Sequence, residues 1–126
     1  MSQPDPMAVV QSFLKAMEKG DYDAALPYVA EGCEYSNLGV LPTVYGPEGV
    51  RSLLEPFFAP TVENEFRVLR SAVAGPVVFV ERLDRHHLPD RWVELPVTGV
   101  FEVHDGKITV WREYFDGPSI LNHWPR

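Results

Sequence analysis

Apolar residues recur at three- and four-residue steps early in the chain and at roughly two-residue steps in its second half. Between Asp5 and Lys19, Met7, Val10, Phe13, Leu14 and Met17 share one helical face. Gly20 stands where a helix C-terminal glycine belongs, because glycine takes positive φ without strain. Asp21 is placed to cap a second helix, Tyr22 to Val29, with Ala25, Leu26 and Val29 turned inward and a break or kink expected at Pro27. Cys33 to Leu38 reads as a short strand and Gly39 to Gly46 as a loop. Proline is tolerated at the first helical position, so Pro47 opens a third helix that runs to Phe58 with Val50, Leu53, Leu54 and Phe57 as its stripe.

Beyond Pro60 the texture changes to Val-, Phe-, Trp- and Tyr-rich runs over Val62 to Val73, Val77 to His86, Trp92 to Val103 and Ile108 to Phe115. Ala74-Gly75-Pro76, Leu88-Pro89-Asp90 and His104-Asp105-Gly106 separate them as hairpin turns. Pro96 is expected to interrupt the third of these strands. Helices followed by an antiparallel meander predict an α+β fold, with helices on one face of a strongly curved sheet.

The length of 126 residues fits one domain, 1–126, and a content of 45% hydrophobic residues suffices for a core. A net charge of −7 argues against nucleic acid as a partner. No apolar run approaches the ~20 residues of a membrane span, and the opening MSQPDPMAVV does not read as a secretory leader. The lone Cys33 excludes an internal disulfide and a cysteine-based metal site. A cytoplasmic protein is the expectation.

Candidate chemistry lies in polar residues on strands. Alternate residues share a strand face, so Tyr35 pairs with Asn37 and Arg82 with Asp84, while Asp116 closes the last strand after Tyr114. Each also has a plainer reading. Arg-x-Asp can be a solvated ion pair, and Asp116 before Gly117-Pro118-Ser119 can be a helix cap or a turn residue. Alternation alone leaves open which face of the Val77 to His86 strand is covered, since Val77, Phe79 and Leu83 make the other face as apolar. The four histidines lack metal-ligand spacing.

The order of elements resembles the nuclear-transport-factor-2-like cone fold, a curved mixed sheet packed against N-terminal helices. Within that fold the chain resembles the limonene-1,2-epoxide hydrolase family. The resemblance is carried by Tyr35-Ser36-Asn37, Glu81-Arg82-Leu83-Asp84, Gly99-Val100-Phe101-Glu102-Val103, Asp105-Gly106-Lys107-Ile108 and Trp111-Arg112-Glu113-Tyr114-Phe115-Asp116. In that family an Asp-Arg-Asp triad opens an epoxide in one step while a Tyr and an Asn hold the attacking water. The resemblance therefore implies Asp116 as water-activating base, Arg82 as bridge, Asp84 as proton donor, and Tyr35 and Asn37 as water holders. It implies no metal or organic cofactor, a small cyclic or terpenoid epoxide as substrate, and a homodimer.

Strand parity assigns Val80, Val100 and Tyr114 to the substrate walls, with Leu38 and Leu41 from the loop and His86 at a position where the family favours an apolar residue. Phe101 and Trp111 are the expected dimer anchors on the outer face. Three alternatives share the fold: a ketosteroid-isomerase-like enzyme, a polyketide-cyclase-like enzyme using Asp116 alone, and a non-catalytic ligand-binding module. The first wants a tyrosine inside the first helix, where this chain offers Phe13, Leu14 and Met17.

Overall fold

The computed structural model describes residues 4–125. Helix α1, Pro6–Glu18, starts where Asp5 accepts a hydrogen bond from the Met7 amide at 3.1 Å, and it buries Val9, Val10, Phe13, Leu14 and Met17. Asp21 caps α2, but α2 covers only Tyr22–Ala25. Pro27 turns the rest of the expected helix into a 3-10 turn, Leu26–Tyr28, because proline cannot donate the hydrogen bond an α-helical interior requires.

Strand β1, Val29–Ser36, begins four residues earlier than the pattern predicts. A two-residue β2, Val44–Tyr45, then leads into α3, Gly46–Phe58. The meander comprises β3, Glu63–Ala74; β4, Val77–Leu88; β5, Arg91–His104; and β6, Lys107–Tyr114. A short α4, Gly117–Leu121, follows. The β5–β6 turn places Asp105 and Gly106 at φ 52° and 74°, the left-handed pair that an Asp-Gly hairpin turn uses.

The strands form one mixed sheet in the order β2-β1-β6-β5-β4-β3, with β1 and β6 parallel and every other pair antiparallel. Pro96 does not interrupt β5, which pairs with β4 on both sides of it. The β5–β6 ladder ends at Thr98–Tyr114, so Pro96 lies beyond it, where a missing N–H costs no bond to β6.

Helices α1 and α3 cover one sheet face. Phe13 sits edge-on to Trp111 at 5.0 Å and to Phe101 at 6.4 Å. Phe101 and Trp111 are thus buried in the core, which corrects their reading as outer-face dimer anchors. The covered face takes the even residues of β4 from Val78 to Leu88 and the odd residues of β5 from Val93 to Val103. Apolar character did not choose the face, because Phe79 faces out at 41% exposure while Arg82, Asp84 and His86 face in.

Candidate active site

The covered face places polar groups in a row across four strands. Tyr35 lies near the end of β1 and Asn37 just beyond it, Glu113 lies on β6, Gly99 on β5, and Arg82 with Asp84 on β4. All five polar side chains are at least nine-tenths buried. Arg82 holds the row together. Its Nε donates to Asp84 Oδ1 and its Nη2 to Asp84 Oδ2, both at 2.9 Å. On the other side Nη2 donates to Glu113 Oε1 at 2.7 Å and Nη1 to Glu113 Oε2 at 3.2 Å. A planar guanidinium can grip two carboxylates at once in this way, which an ammonium cannot do.

Arg82 reaches Glu113 across β5, and Gly99 makes room for the crossing. A Cβ at Gly99 would sit 2.5 Å from Glu113 Oε2 and 2.8 Å from Arg82 Nη1, well inside van der Waals contact.

Asp116 stands elsewhere. It is exposed, and it caps α4 by accepting from the Ser119 amide at 3.2 Å and from the Ser119 hydroxyl. The partner expected of Arg82 at Asp116 is Glu113 instead. Ile108 is buried, and a register shift in the β5–β6 ladder leaves Thr109 as an extra residue, so the inward positions that follow are Trp111 and Glu113. Counting by twos from Ile108 without that bulge turns Tyr114 inward, whereas Tyr114 is 40% exposed.

The Tyr35 ring stacks on Trp111 at 3.8 Å, and its hydroxyl donates to Asn37 Oδ1 at 3.2 Å. Asn37 is held by the turn that follows β1, where its carbonyl accepts from the Val40 amide and Leu38 takes φ 50°. Asn37 Nδ2 and Trp111 Nε1 are buried donors without a partner among the described residues.

Burial pushes the Glu113 carboxyl above its ordinary range, against the pull of Arg82. The Trp111 N–H also favours ionised Glu113, although it lies outside hydrogen-bond geometry. Burial would lower the Arg82 pKa, but Glu113 and Asp84 more than reverse it, and the guanidinium stays charged. Burial, followed by the Glu113 charge, raises Tyr35 and keeps its phenol protonated.

A cleft of about 440 Å³, including its mouth, opens onto Tyr35, Asn37, Asp84 and Glu113. Its walls are apolar: Leu41 from the loop, Leu54 and Phe58 from α3, Leu95 and Val97 from β5, and Ile120 from α4. Of the side chains expected to hold substrate, Leu41 and His86 line this cleft. Leu38 points away at 57% exposure, Val80 is packed in the main core, and Val100 and Tyr114 lie on the outward parity of their strands. Sequence reasoning missed Glu113, Gly99 and the α4 wall. The Trp111-Arg112-Glu113 run and the glycine at the centre of a strand were the signals available for the first two.

A half-open sheet backed by helices, with a carboxylate–arginine–carboxylate triad at the foot of an apolar cleft, defines a cone-fold protein equipped for acid–base chemistry. The family model described as the limonene-1,2-epoxide hydrolase catalytic domain matches residues 4–126, and the chain belongs to that family. It is 34% identical over 107 residues to the epoxide hydrolase EphG of Mycobacterium tuberculosis, a match covering 85% of this chain and 70% of the relative. A solved structure of an M. tuberculosis LEH-like epoxide hydrolase superimposes with a TM-score of 0.80 at 31% identity, covering 93% of this chain and 86% of that one. An NTF2-like protein from Burkholderia pseudomallei gives a TM-score of 0.86 at 14% identity, covering 98% and 100%, and speaks for the fold alone. The α+β cone fold and the family expected from the sequence are both borne out.

Proposed function

We propose that the protein hydrolyses a small cyclic or terpenoid epoxide to a vicinal diol by direct, acid- and base-assisted attack of water. The observation that carries this reading is Arg82 gripping Asp84 and Glu113 at once, beside Tyr35 and Asn37, at the foot of an apolar cleft. Opening an epoxide at neutral pH calls for a proton given to the departing oxygen and another taken from water. Two buried carboxyls around one guanidinium carry a net negative charge and so tend to share a proton, leaving one acid and one base.

The sheet order supports the assignment of roles. Glu113 lies on β6, next to β1 with Tyr35 and Asn37, whereas Asp84 is on β4 beyond β5. Glu113 is therefore the base and Asp84 the donor. Because the Tyr35 proton is committed to Asn37 Oδ1, the phenol oxygen is left to accept, and Asn37 Nδ2 is left to donate. A water between them would donate one hydrogen to Tyr35 and the other to Glu113 while accepting from Asn37. This arrangement leaves its second lone pair for carbon. The chemistry proposed calls on no metal or organic cofactor. Where the family has a second aspartate, this chain supplies a glutamate.

The isomerase alternative gains no support, since Phe13, Leu14 and Met17 fill the α1 interior. A homodimer is part of the proposal, through the edge strand β3, exposed from Arg67 to Ala74, and its neighbour. Val68, Leu69, Val73 and Phe79 are exposed there, and an open edge invites pairing. A monomer by light scattering at micromolar concentration would contradict it. The location proposed is the cytoplasm, in keeping with the free, buried thiol of Cys33.

A single turnover in ¹⁸O-labelled water with enzyme in excess tests the mechanism. Direct attack puts label into the first diol and none into the protein. Label in the peptide bearing Glu113 or Asp84 would indicate an ester intermediate and overturn the one-step route.

A further inference from the structure

His86 is two residues beyond Asp84 on the covered face of β4, is 1% exposed and lines the cleft. Its ring packs against Phe58 at 5.4 Å and Trp124 at 5.2 Å. A polar ring in so apolar a setting has to be accounted for bond by bond.

A directional chain of hydrogen bonds fixes its tautomer. The Phe58 carbonyl can only accept, so the Thr61 hydroxyl 2.6 Å away must donate to it. With its proton spent, Thr61 Oγ1 accepts from Asn64 Nδ2 at 2.9 Å. That orients the Asn64 amide, which presents Oδ1 to His86 Nδ1 at 2.8 Å. Nδ1 therefore carries the ring proton, and Nε2 is a bare lone pair with no partner among the described residues. Burial lowers the His86 pKa to about 4, so the ring stays neutral at working pH.

We infer that His86 Nε2 is a specificity determinant that accepts a hydrogen bond from a hydroxyl on the body of the substrate, so that the enzyme prefers hydroxylated epoxides over plain hydrocarbon ones. This rests on the epoxide reading above and adds to it the substrate class. Residues two apart on a strand face are about 6–7 Å apart. The hydroxyl therefore belongs on the far side of a small ring from the epoxide oxygen that Asp84 protonates. The contact leaves the reacting atoms untouched, so it acts on binding more than on the chemical step.

The test compares two matched substrates, 4-hydroxymethylcyclohexene oxide and 4-ethylcyclohexene oxide, on the wild-type protein and on His86→Phe, which keeps an aromatic ring in the cage. Wild type is expected to favour the hydroxymethyl epoxide about tenfold in kcat/KM, chiefly through KM. In His86→Phe the ratio should fall to one or below, because the hydroxyl is then buried without a partner. Equal ratios in both proteins would overturn the inference.

Two measurements keep it testable if His86→Phe does not fold. Long-range ¹H–¹⁵N spectra of the wild-type imidazole should show a neutral ring protonated at Nδ1, and a proton on Nε2 would overturn the inference whatever the kinetics. Asn64→Leu, which releases the tautomer, should lower the wild-type ratio, and an unchanged ratio would count against it. Hydrolysis of both epoxides without discrimination sinks this inference alone. Hydrolysis of neither sinks the epoxide reading and this inference with it.

Discussion

Strand β4 carries arginine–carboxylate pairs on both of its faces, and the two sets differ in almost everything except residue type. On the covered face Arg82 binds Asp84 and Glu113 at 2.7–3.2 Å with all three side chains buried. On the outer face Arg85 binds Glu94 at 2.8 Å and Glu65 at 3.0 Å, and Glu81 binds Arg70 at 2.7 Å, with solvent within reach. Water screens the outer pairs, so their neighbours lose little when one member goes. The inner set has no such screen. Its charges depend on one another, and its apolar surroundings hold Glu113 above the ordinary carboxylate range. One step along the strand separates a solubilising surface from the proposed reactive centre, and burial accounts for the difference.

Removing each arginine in turn should give the largest difference between the two faces. Arg82→Met leaves two buried carboxylates facing each other and should cost about 3–5 kcal/mol of stability at neutral pH, read by denaturant unfolding. Arg85→Met should shift the midpoint by a small fraction of that. Comparable losses would mean that the inner set is as well solvated as the outer one.

Gly99→Ala disturbs the inner set through shape alone. The added methyl wedges between Arg82 and Glu113, and overpacking of this kind costs about 1–3 kcal/mol. A misplaced triad should lower turnover by about 10²-fold, with recovery of neither by added salt. Full activity in Gly99→Ala would contradict the crossing geometry.

A smaller effect separates the faces by pH. As the proposed base Glu113 acts ionised, and its pKa is raised, so the acid limb of the rate profile should lie above pH 4.5, the ordinary value. The alkaline limb should mark loss of the shared proton, and both limbs belong to the coupled pair. The sign for stability is opposite. A raised carboxyl contributes fully below its unfolded pKa and loses that contribution as pH rises through the folded one. Glu113→Gln should therefore flatten the fall in stability as pH rises from about 4.5, which a pH series of melting curves would read, whereas Glu81 on the outer face, held below the ordinary range by Arg70, contributes in the opposite sense and loses its share as pH falls.

Much of this was legible in the sequence, for local reasons. The α1 stripe, the Asp5 and Asp21 caps and the Asp105-Gly106 turn are decided by residues close together in the chain, and the family resemblance brought Tyr35, Asn37, Arg82 and Asp84 to one place. Non-local features were not legible. The bulge at Thr109 shows only in the β5–β6 pairing, and without it parity favours Tyr114 over Glu113. Phe101 and Trp111 read as surface anchors until α1 is seen to cover them with Phe13. Asp116 carried two readings, and its helix-capping one is what the structure contains. The capped helix supplies Ile120 to the cleft wall, so Asp116 shapes the site without entering it.

The proposed assignment of Glu113, and not Asp116, as the group that takes the proton from water decides the mechanism. It is tested most directly by measuring diol formation from a cyclic epoxide side by side for Glu113→Gln and Asp116→Asn. Glu113→Gln is expected to lose about 10²–10⁴-fold in turnover, the usual worth of a general base. Asp116→Asn, which keeps a capping side chain, is expected to stay within a few-fold of wild type. A severe loss in Asp116→Asn with a folded protein, alongside near-normal turnover in Glu113→Gln, would contradict the account.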